Sequence, residues 1–138
     1  MSAHLSVLPI VVGITASALV AIALWYPRTI KEYWQRSCMG RAWKRTFPNA
    51  SKDEIRGFLY TFVDAFAFPR KKALQFAPTD RVLSVYRAVY PLKGSPDALE
   101  LETFAAELER HYSVSLREIW REELTLGEVF SRTSRQLA

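Results

Sequence analysis

The chain has 138 residues, 49% hydrophobic and 24% charged, with a net charge of +5, which is room for one small domain plus an accessory segment. The excess charge is local: residues 28–50 hold six Lys/Arg against Glu32, whereas 51–138 hold thirteen basic and thirteen acidic residues, a distribution that speaks against a nucleic-acid-binding domain, whose charge lies on the folded part. A single cysteine, Cys38, rules out an intrachain disulfide, and His4 and His111 have no Cys or carboxylate at ligand spacing, so neither a metal nor a cofactor is expected.

Met1 to Pro27 carry no charged residue, and residues 5–26 form the apolar run LSVLPIVVGITASALVAIALWY. As a helix this run would cover roughly 33 Å at about 1.5 Å per residue, matching a hydrocarbon core of about 30 Å. A cleaved signal peptide is the rival reading, with Ala21 and Ala23 imitating a cleavage site. It lacks an amino-terminal Lys or Arg, and the run is longer than the usual ~7–15 residues. The expectation is therefore a retained transmembrane anchor over 1–27, with Trp25 and Tyr26 at the interface. Basic residues follow the run and none precede it, which places the amino terminus outside and the carboxyl-terminal domain in the cytoplasm. Gly13, Ser17 and Ala21 put a small residue at every fourth position, permitting a weak homo-oligomer through the span.

The segment 28–50 alternates Arg28, Lys31, Arg36, Arg41, Lys44 and Arg45 with Tyr33, Trp34 and Trp43. It reads as a basic aromatic strip on anionic headgroups, at about 1 kcal/mol per basic residue near the surface. It reads equally as a flank whose aromatics pack on the domain. Cys38 is a bystander thiol in the simpler reading and lipidated or redox-active in the other.

Residues 51–138 predict a helical domain. SKDE, 51–54, is a capping box in which Ser51 caps and Glu54 reaches back. Ile55, Phe58, Leu59, Phe62 and Phe66 then recur at helical spacing, and Pro69 is expected to end that helix. After the basic loop 70–72, a second helix is expected from Thr79 to Tyr90, stopping at Pro91. The third opens with Ser95 as N-cap, Pro96 in the first position and Asp97 complementing the dipole. Its buried face is Leu101, Phe104, Ala105, Leu108 and Tyr112. TLGE, 125–128, is a second capping box opening a last short helix with Val129 and Phe130. The fold class is all-α: a transmembrane helix followed by a bundle of about four helices.

The stretch DALELETFAAELERHYSVSL, with Asp97, Leu99, Leu101, Leu108, Glu109, Tyr112, Val114 and Leu116, resembles the acyl carrier protein family, whose second major helix follows Asp-Ser-Leu; LTLGEVF, 124–130, is similar to the opening of that family's last helix. The resemblance is best over 95–130 and extends to 51–130. More closely, the chain resembles bacterial acyl-carrier-like proteins with a degenerate carrier motif, which implies an acyl-carrier-like domain at a bacterial inner membrane. A carrier attaches phosphopantetheine to a serine hydroxyl directly after the aspartate. Ala98 stands there, and Ser95, better explained as an N-cap, is the weak alternative.

With Leu101 centred inward, Leu99, Thr103, Ala106 and Arg110 point outward, Glu100 and Glu107 line one flank, and Glu102 and Glu109 line the other. The resemblance implies that Asp97, Leu99 and these glutamates meet a basic partner protein; an ordinary solvated face is the competing reading. No paired carboxylates, Ser/His/Asp set, Cys/His pair or phosphate-cradling glycine loop is present, so no enzyme is expected. The expected function is a non-catalytic, membrane-tethered acyl-carrier-like adaptor that docks a cytoplasmic partner. The alternatives are a working carrier for lipid or envelope biosynthesis modified at an unusual serine, and a small membrane-complex subunit.

Overall fold

The computed structural model describes residues 15–20, 30–90 and 98–137. Residues 15–20 and 30–34 are helical. They are followed by α1 (Gly40–Thr46), α2 (Lys52–Ala65), a 3-10 turn (Arg70–Gln75), α3 (Val82–Val89), α4 (Leu99–Tyr112), α5 (Leu116–Ile119) and α6 (Leu126–Leu137). The fold is mostly helical with no strand among the described residues, as the periodicity predicts.

Both capping boxes form. The Ser51 hydroxyl accepts from the Glu54 amide at 3.1 Å while Glu54 Oε2 accepts from the Ser51 amide at 2.6 Å. At the second, Glu128 N–H donates to Thr125 Oγ1 at 3.2 Å and Thr125 N–H to Glu128 Oε2 at 2.9 Å. Each satisfies two donors that a helix start otherwise leaves open. Helix α2 stops before Pro69: it ends at Ala65, Ala67 turns left-handed at φ 55°, and Phe68 N–H closes on the Val63 carbonyl at 2.8 Å.

The apolar face of α2 enters a core dominated by aromatic rings. Phe62 meets Phe76 and Phe104 with centroids 5.1 and 5.3 Å apart. Phe130 of α6 meets Phe47, Phe58 and Trp43 at 4.9, 5.3 and 5.7 Å. Such tilted and edge-to-face pairs add about 0.5–1.5 kcal/mol each beyond area burial. The starts of α3 and α6 are laced together by backbone bonds, Val82 N–H to Leu124 O at 3.0 Å and Leu126 N–H to Asp80 O at 2.9 Å. Gly127 N–H donates to Pro78 O at 2.8 Å, and a Cβ at Gly127 would stand 2.9 Å from that oxygen. Only glycine permits that approach.

Two expectations are corrected. Among the described residues no helix is long and apolar enough to cross a membrane. Of the run 5–26, residues 15–20 are described, as helix with exposed side chains; the rest lies outside the described residues. The transmembrane anchor is therefore withdrawn, and with it the single-pass inner-membrane placement with the amino terminus outside. The proposed contact through Gly13, Ser17 and Ala21 loses its membrane setting; Gly13 and Ala21 lie outside the described residues and Ser17 is exposed.

The basic aromatic segment belongs to the domain. Trp43 is fully buried, and its indole N–H donates to the Phe76 carbonyl at 2.8 Å. Trp34 lies edge-on to Phe68 and Phe76 at 5.1 and 5.7 Å. Arg36 Nη1 donates to both oxygens of Asp80, at 2.8 and 2.7 Å. Lys44 Nζ donates to the Pro48 and Ala50 carbonyls at 3.0 and 2.5 Å. Lys31, Arg41 and Arg45 are exposed, and Arg28 lies outside the described residues. Packing on the domain, rather than on headgroups, accounts for these aromatics.

Candidate functional site: the outer face of α4

Helix α4 begins at Leu99, with Ala98 in the N-cap position at φ −86°, ψ 32° and no side-chain capping bond. Ser95, Pro96 and Asp97, on which the expected cap rests, lie outside the described residues. The helix is held by its inner face instead: Phe104 and Leu108 are fully buried, and Leu101, Ala105 and Tyr112 pack partly buried beside them. At the far end Ser113 turns left-handed at φ 53°, and its N–H closes on the Glu109 carbonyl at 3.0 Å.

The outer face carries Leu99, 62% exposed, with Glu102, Ala106 and Glu109 all exposed. Spacings of three, four and three residues place these four on one stripe of the helix. Leu99, Ala106 and Arg110 are exposed as the sequence reading expects, but Thr103, also expected outward, is half-buried against the α2 side, Leu101 is half-buried rather than central to the inner face, and the two acidic rows are not equivalent. Glu100 is half-buried and accepts from the Tyr90 hydroxyl through Oε1, while its Oε2 is buried without a hydrogen bond. Glu107 accepts from Arg110 Nη2 at 2.7 Å and lies 3.0 Å from His111 Nε2. The hydrogen bond from Arg110 holds the Glu107 carboxyl below the ordinary carboxylate range. Glu100 and Glu107 are thus engaged within the domain, whereas Glu102 and Glu109 face solvent.

Glu107 also borders a groove of about 680 Å³ between α2 and α4. Its charges are matched among themselves: Arg70 donates to Asp64 at 3.1 and 2.8 Å and stacks over Tyr60, and Glu107 neutralises Arg110. Burial raises the Tyr112 hydroxyl pKa there. Among the described residues no three His, Cys, Asp or Glu side chains converge as a metal would require.

The Glu107–His111 contact was open to sequence reasoning through its i,i+4 spacing. The Tyr90–Glu100 bond was not, because it crosses from α3 to α4. The chain matches no known protein family, no curated protein and no solved structure. None of these comparisons bears on the carrier resemblance, which rests on the sequence motifs of 51–130 and chiefly of 95–130.

Proposed function

We propose that this chain is a non-catalytic, acyl-carrier-like docking module whose outer α4 face receives a protein partner bearing a basic surface. The observation that carries this reading is Leu99, a large aliphatic side chain left 62% exposed on a helix whose inner face is fully packed. Interfaces place such an apolar anchor at their centre and charge at their rim, which is the arrangement of Leu99 and Ala106 beside Glu102 and Glu109. Ala98, a methyl group where a carrier needs a hydroxyl, supports docking over acyl transfer.

The test starts from a partner captured by wild type, purified, and titrated with variants. Leu99→Ala should weaken binding by roughly 1–3 kcal/mol. Glu102→Lys with Glu109→Lys should slow association most at low salt. Equal affinity for all three forms would reduce this face to solvated surface. Intact mass after incubation with a phosphopantetheinyl transferase and coenzyme A should stay unchanged; a shift mapped to Ser95 would replace docking by acyl carriage.

A further inference from the structure

On another side of the domain, a hollow of about 310 Å³ lies between the segment entering α1, the start of α2 and the 3-10 turn. Its floor is apolar: Ile55 is buried, Leu74 is half-buried, and Cys38 forms part of the wall. Its rim is cationic: Arg41, Lys44, Lys52 and Arg56 line it, with no carboxylate among the lining residues. Lys44 is bound to backbone carbonyls of Pro48 and Ala50. Arg41, Lys52 and Arg56 are exposed and, among the described residues, make no hydrogen bond or ion pair. Arg36, Arg70, Arg110 and Arg121, by contrast, are paired with Asp80, Asp64, Glu107 and Glu128.

Glu54 lies within electrostatic reach of Lys44, which leaves Arg41, Lys52 and Arg56 as the rim cations whose mutual repulsion an anion would relieve. The volume is at the small end of ligand sites, about 300–1,000 Å³, which suits a compact apolar body. We infer that this hollow binds a small organic anion, a compact apolar body carrying one carboxylate, sulfonate or phosphate, with the body on Ile55 and Leu74 and the charge among Arg41, Lys52 and Arg56. The inference is independent of the α4 face, which lies on different residues.

Naphthalenesulfonate serves as the probe, with binding to the full chain read by equilibrium dialysis. Location is read from Cys38, the only thiol, through its rate of exchange with the uncharged disulfide dithiodipyridine. The probe should bind saturably and slow Cys38 exchange over the same concentration range. Naphthalenemethanol, which lacks the charge, and sulfate, which lacks the body, should each bind at least about tenfold more weakly. The variant Arg41→Gln/Lys52→Gln/Arg56→Gln, with unpaired surface side chains changed and the fold checked by circular dichroism, should lose about tenfold or more in probe affinity. Equal binding of the alcohol or of sulfate, an unchanged triple variant, or binding that leaves Cys38 exchange unaltered would overturn the assignment. Tighter binding of oligoglutamate than of the probe would also overturn it, in favour of an acidic polymer.

Discussion

The segment 30–50 and helix α4 both mix charged with large apolar side chains, and the fold treats them in opposite ways. In 30–50 each inward group has its own partner: the Trp43 indole has the Phe76 carbonyl, and Arg36 has Asp80, which is only 9% exposed. In α4 the helical period does the sorting, turning Phe104 and Leu108 inward and Leu99, Glu102 and Glu109 outward. A regular helix satisfies its own backbone and needs only one apolar stripe. The segment 30–50 has only short helical stretches, 30–34 and α1, and each polar side-chain group it turns inward needs a partner of its own. Exposed residues of either region are replaceable; Trp43 and Arg36, whose partners lie elsewhere in the chain, are not.

The largest expected effect tests that contrast directly. Trp43→Ala should cost about 3–5 kcal/mol in urea unfolding, through lost packing and a buried Phe76 carbonyl left without its donor. Leu99→Ala should change stability by less than about 0.5 kcal/mol. Similar values for the two would erase the distinction. Next comes Asp80→Ala, which removes the acceptor of Arg36 and of the Ala77 N–H, 2.7 Å from Oδ2. It should cost about 2 kcal/mol, since the pair is only partly exposed to solvent.

The smallest effect is in acid. The carboxyls of Glu54, Glu107 and Glu128 all lie below the ordinary 4.5, held there chiefly by the bonds from the Ser51 backbone, the Arg110 side chain and the Thr125 backbone respectively. As pH falls the unfolded chain takes up these protons first. Their stabilisation is therefore complete above 4.5 and is lost as pH falls through the lower native values. Urea midpoints measured from neutral pH downward should drop on the acid side of 4.5, and Glu54→Gln, Glu107→Gln or Glu128→Gln should each flatten part of that fall. An unchanged acid limb in all three would show that these local bonds do not couple to folding.

What the sequence discloses follows the same division. The two capping boxes are legible because Ser51 with Glu54, and Thr125 with Glu128, make their bonds three residues apart. The outward placement of Leu99 is legible because a helix of known period has only one inner face. The Arg36–Asp80 pair joins residues 44 apart, and the indole of Trp43 finds its acceptor on the backbone of Phe76. No spacing announces either, so a segment that is basic and aromatic in sequence reads equally as a membrane strip and as a flank packed on the domain. Gly127 reads as a helix-start residue until the oxygen of Pro78 is seen against it. At α4 the sequence identifies the four glutamates but not that Tyr90, on a different helix, engages Glu100.

Phe130 has a consequence for how the chain is made. Its ring lies against Trp43, Phe47 and Phe58, all of which precede it by many residues. During synthesis from the amino end these three aromatics are in place while the side chain that seals them has yet to be added. A nascent chain, or one cut short before residue 130, presents that aromatic cluster to its surroundings, the kind of surface on which chaperones and aggregates both act. The ring of Phe130, supplied by α6, thus covers aromatic surface that would otherwise face solvent.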